Sequence, residues 1–76
     1  MKTRPEVHAA VQHARAVLDF CNVGEDQDFF TLSSRQVDAL LMYARRDKYR
    51  KPRNANGSRA RYYLARLHRM IARGNS

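Results

Sequence analysis

The sequence predicts an all-α fold, a compact three-helix bundle, and three observations predict it. Apolar residues recur at intervals of three and four through three segments. Helix-breaking and turn-forming residues part those segments, Gly24 in one gap and Pro52, Asn56 and Gly57 in the other. No stretch shows the period of two that a half-buried strand requires. The helices are expected over about residues 4–21, 34–47 and 59–73, in a single small domain covering residues 1–76. At that length the core is thin, because a chain of this size buries only about 60% of its unfolded surface.

The first helix opens on Thr3 and Glu6 at capping-box spacing, with Pro5 in the first turn, where its missing N–H costs nothing. Val7, Ala10, Val11, Ala14, Val17, Leu18 and Cys21 form one apolar face; Ala9, Ala16 and Phe20, flanking His13, form a second, weaker stripe. A helix apolar over two faces is either the central helix or meets a second subunit. Ala9, Ala10, Ala14 and Ala16 are small enough for the close approach of a homodimer through this helix. The helix is expected to end near Asn22, before Gly24. Residues 22–31 then read as an acidic loop kept solvated by Glu25, Asp26 and Asp28, in which Phe29 and Phe30 need cover.

The second helix carries a complete start signal: Ser33 as cap, Gln36 at the third helical position, and Leu32 and Val37 spaced for a hydrophobic staple. Val37, Leu40, Leu41 and Ala44 face inward, Arg35, Met42 and Arg46 outward. After a long basic linker, Ser58 caps the third helix, where Ala60, Tyr63, Leu64, Leu67, Met70 and Ile71 share one face and Gly74 follows as the stop. Its outward row is Tyr62, Arg66, Arg69 and Arg73.

Charge divides the chain unevenly. Residues 1–44 carry a net of −2 and residues 45–76 a net of +10, giving the overall +8. A field of that kind attracts polyanions and speeds their encounter, so nucleic acid, or an acidic surface of a nucleoprotein complex, is the expected partner. The residues expected to carry the contact are Arg45, Arg46, Lys48, Arg50, Lys51, Arg53, Arg59, Tyr62, Arg66, Arg69 and Arg73. Arginine offers a planar fork to phosphate oxygens, and the first N–H groups of a helix favour an anion. A solvated basic face without a ligand is the bland alternative, but so many cations gathered together repel one another. The second and third helices match a helix-turn-helix poorly, since that motif joins its helices by three or four residues and here the gap from Asp47 to Ser58 is near ten; a looser docking in which loop and third helix grip a backbone fits better.

Other chemistries find no support. His8, His13 and Cys21 are spaced five and eight residues apart, where ligands on one helix favour three or four, so no metal is expected. No glycine-rich phosphate loop, nucleophile with a base, or complete calcium loop is present; neither an enzyme nor a cofactor is expected. Cys21 is the sole cysteine, which excludes an intramolecular disulfide and fits a reducing, cytoplasmic setting. No stretch approaches a membrane span of about 18 apolar residues, and no signal peptide is expected.

The segment Tyr49 to Tyr63, reading YRKPRNANGSRARYY, resembles small orphan proteins encoded by bacteriophages and prophages, in which a basic turn rich in proline and asparagine leads into an arginine-rich helix. The resemblance implies a nucleoprotein target in a bacterial host, and proteins of that sort include inhibitors of bacterial defence such as anti-CRISPR proteins. It implies no functional residues, and the chain's basic character departs from inhibitors that mimic DNA with acidic surfaces. Two expectations follow: a nucleic-acid-binding module that grips phosphates, or a phage-encoded inhibitor or adaptor that docks on a host complex.

Overall fold

The computed structural model describes residues 4–49 and 59–74. Among them the chain is a three-helix bundle: α1 (Pro5–Phe20), a single 3-10 turn (Phe29–Thr31), α2 (Ser34–Arg46) and α3 (Arg59–Gly74), with no strand among the described residues. Ser58 and most of the basic linker, including Arg50, Lys51 and Arg53, lie outside the described residues, as does Thr3.

Each helix boundary follows from local chemistry. Arg4, not Thr3, is the N-cap of α1, and its side chain makes no capping hydrogen bond. Pro5 explains this: it holds Arg4 in extended conformation (φ −62°, ψ 145°) and starts the helix at itself. At the far end Asn22 takes a left-handed φ of 58°. Its N–H donates to the Asp19 carbonyl at 3.0 Å and that of Val23 to Leu18 at 2.8 Å, the two bonds of a Schellman closure. Val23 and Leu18, which such a closure brings together, are both buried. The capping box of α2 is complete: the Ser33 hydroxyl accepts from the Gln36 N–H at 3.2 Å, and the Gln36 side chain accepts from the Ser33 N–H at 2.8 Å.

The core gathers Ala14, Val17, Leu18, Cys21 and Val23 from the first part of the chain, Leu40 and Ala44 from α2, and Ala60, Tyr63, Leu64, Leu67 and Ile71 from α3. The central helix is therefore α3, not the first helix: it packs against α1, α2 and the 3-10 turn, while α1 and α2 meet only sparingly. The second stripe of α1 stays in solvent, with Ala9 and Ala16 exposed and Phe20 69% exposed. Gly74 is the last residue of α3 and not a stop beyond it. A Cβ there would stand 2.2 Å from a methyl of Val11, so this glycine lets the end of α3 lie directly on α1.

The acidic segment is more ordered than a solvated loop. Val23 is buried, Asp28 accepts from the Phe30 N–H at 3.1 Å, and Gln27 bonds both the Gly24 N–H and the Thr31 carbonyl. Gln36 ties the loop to α2 by donating to the Asn22 carbonyl at 2.7 Å. Phe29 packs against the core, but Phe30 stays 74% exposed, with the Arg61 guanidinium 5.2 Å from its ring centre.

Candidate nucleic-acid interface

Helical geometry builds the basic surface. At 100° per residue, Arg59, Tyr62, Arg66, Arg69 and Arg73 fall within an arc of about 80° on α3. The core residues occupy the neighbouring arc, so burying Tyr63, Leu67 and Ile71 turns this row outward. The four arginines of the row are exposed and Tyr62 is half-buried. No acidic residue interrupts α3. The acidic loop lies against the other flank, where Glu25, Asp26 and Asp28 border hollows shared with Arg61 and His68. Arg61 is thereby drawn away from the row. The acids of this loop and the arginine row thus occupy opposite sides of one helix, while Glu6 of α1 borders a hollow with Met70 and Arg73 at the Arg73 end of the row.

The end of α2 completes the surface. Lys48 adopts a left-handed φ of 53° and closes the helix with bonds from the Lys48 N–H to Arg45 at 3.1 Å and from the Tyr49 N–H to Ala44 at 2.9 Å. This closure turns Tyr49 back onto α3. Its ring lies 5.7 Å from that of Tyr63, and the Arg66 guanidinium stands 5.3 Å from its centre. Beside this contact runs an open groove of ≈ 680 Å³ lined by Tyr49, Arg66, Arg69, Met70, Ala72 and Arg73.

Of the residues expected to bind, the structure thus brings Arg66, Arg69 and Arg73 together at the groove, with Arg59 and Tyr62 continuing the row. Arg45 and Lys48 are exposed at the end of α2. Arg46 belongs to a different face: its guanidinium lies 5.5 Å from the Tyr43 ring centre, and Tyr43 stacks on Phe20 of α1. Arg50, Lys51 and Arg53 lie outside the described residues.

Asp47 was missing from the expected set. Its carboxylate accepts a hydrogen bond from the buried Tyr63 hydroxyl and lies 2.8 Å from His13 Nε2, joining α1, the end of α2 and α3 at one point. Burial pushes the Asp47 carboxyl up, but the hydrogen bonds from Tyr63 and His13 and the nearby positive charge outweigh it and hold the group below the usual carboxylate range. Burial, reinforced by the Asp47 charge, pushes the Tyr63 hydroxyl well above its ordinary value. Asp47 sets the base of the site rather than its surface. The only signal in sequence was its isolation, one acid among eleven cations.

Cys21 is buried among core residues, which pushes its thiol up and away from nucleophilic chemistry. Among the described residues no group of three histidine, cysteine, aspartate or glutamate side chains is placed to hold a metal, and no helix is long and apolar enough to cross a membrane. No family model, curated protein or solved structure matches the chain.

Proposed function

We propose that this chain is a non-catalytic nucleic-acid-binding protein whose α3 face grips phosphates largely without reading base sequence. One observation carries the reading: Arg59, Arg66, Arg69 and Arg73 line one exposed stripe of a helix without an acid, while the acidic loop is packed on its other flank. Gathering like charge this way costs self-repulsion, which a polyanion relieves. The stripe is about 21 Å long at 1.5 Å per residue. Duplex over that length carries about twelve phosphates, of which fewer than half face one side, so about five are neutralised. The basic linker residues Arg50, Lys51 and Arg53 extend the same charge in sequence.

Equilibrium binding to duplex DNA as a function of salt tests this. With about five phosphates engaged, log K falls against log salt with a slope near −4.5, roughly 500-fold between 50 and 200 mM. Absence of binding at 50 mM salt would remove the reading.

A second reading is a phage-encoded inhibitor of the anti-CRISPR kind docking on a host nucleoprotein complex, and its protein-docking part has support from exposed apolar side chains of α1 and α2. Phe20 and Met42 are 69% and 56% exposed, and Phe20 stacks on Tyr43 with ring centres 6.2 Å apart. Exposed aromatic and methionine side chains are typical of protein-docking surfaces. Pull-down from nuclease-treated lysate separates the two readings, since a protein partner survives the nuclease and a nucleic acid does not.

A further inference from the structure

The groove beside the arginine row has a floor that phosphate binding does not need. Tyr49, Met70 and Ala72 give its lining apolar surface, and Arg66, Arg69 and Arg73 share that lining. A duplex backbone offers phosphates and sugars to a cationic face, and nothing flat and apolar to fill such a floor. An unpaired nucleobase offers both. Resting on the nucleic-acid reading above, we infer that this groove takes an unstacked base of a single-stranded nucleic acid, so that single strands, not duplexes, are the preferred ligand.

Three features build the site. Tyr49 is fixed before any ligand arrives, by the closure at Lys48 and by its ring contact with Tyr63. The Arg66 guanidinium stands 5.3 Å from the Tyr49 ring centre, and a planar guanidinium also stacks on the flat face of a base. Met70 is half-buried, flexible and polarizable, suited to bases of differing shape. At ≈ 680 Å³ the groove falls within the range of small-molecule sites, with room for a nucleoside. The strand entering it runs along the row, its phosphates meeting Arg73 and Arg69 beside the groove and Arg59 at the far end. Because every base has a π-face, the selectivity is for unpaired bases and not for sequence.

Fluorescence anisotropy on the full chain at 50 mM salt, with three labelled probes, tests this. The probes are an oligothymidylate of about twelve nucleotides, an abasic backbone of the same length and charge, and a duplex of that length. Stacking of even one base makes the oligothymidylate bind at least about fivefold more tightly than the abasic strand. The oligothymidylate also exceeds the duplex. Arg66→Lys, which keeps the charge and loses the planar fork, brings the ratio of oligothymidylate to abasic affinity toward one. Equal binding of the oligothymidylate and abasic strands, or a preference for duplex, overturns the base site and leaves the phosphate reading standing. Failure of all three probes to bind overturns both.

Discussion

Asp47 is the only acidic side chain between residues 45 and 76, and three helices meet at its carboxylate. Replacing it by alanine strands the buried Tyr63 hydroxyl without its acceptor, which costs about 1–3 kcal/mol. Tyr63→Phe removes the donor and leaves a carboxylate that water still reaches, costing about 0.5–1.5 kcal/mol. Urea melts of the two variants and the double variant give this order and a coupling of about 0.5–3 kcal/mol, and a coupling of zero would deny the bond any role in stability. The pH dependence has two limbs. Asp47 has a lowered folded pKa, so its contribution is present above the ordinary carboxylate range and fades as pH falls through the folded value. Tyr63 has a raised one, so its contribution holds below its ordinary value of about 10 and is lost as pH climbs beyond that. In Tyr63→Phe the alkaline loss of melting temperature is reduced. Lys48 holds a left-handed conformation that costs a side-chain-bearing residue roughly 1–2 kcal/mol, so Lys48→Gly raises the melting temperature.

At the scale of elements, α3 separates folding from binding. Leu67 is fully buried, and Leu67→Ala costs about 2–5 kcal/mol. The triple variant Arg66→Ala, Arg69→Ala, Arg73→Ala touches exposed side chains, and its largest stability cost is the Arg66 contact with the Tyr49 ring, about 0.5–1 kcal/mol. It keeps its helical circular dichroism and a cooperative melt, lowered far less than that of Leu67→Ala, while its nucleic-acid affinity falls; unchanged affinity would disconnect the row from the activity. Gly74→Ala improves helix propensity yet drives a methyl into Val11, so it lowers the melting temperature. These elements show what sequence could and could not disclose. The buried face of α3 and the Ser33 capping box were legible because they depend on neighbours three or four residues apart. The outward row was legible as the complement of that face. The contact from His13 to Asp47 spans 34 residues, and no local spacing encodes it. The groove was illegible for a local reason: the closure that turns Tyr49 onto α3 places a lysine where glycine or asparagine is the usual signal.

For the molecule as a whole, the packing of the acidic loop converts a charge asymmetry along the chain into one across the fold. Binding should therefore depend on which side of α3 is altered, not on net charge alone. Arg15 pairs with Glu25 at 2.8 Å, with both side chains about half exposed, and a pair of that kind is worth at most about 1 kcal/mol. Arg4 is exposed at the start of α1. Arg4→Ala with Arg15→Ala removes two positive charges from the acidic half, whereas Arg69→Ala with Arg73→Ala removes two from the groove. If long-range attraction governed affinity, the two double variants would weaken binding equally and both losses would vanish in high salt. If phosphate contacts at the row govern it, the α3 variant loses affinity and its salt slope shrinks by about 0.9 for each contact removed, while the α1 variant keeps the parent slope. Titrations of both variants at matched salt concentrations distinguish these cases. The expected result is the second, and equal slopes with equal losses would return the function to the charge of the whole chain.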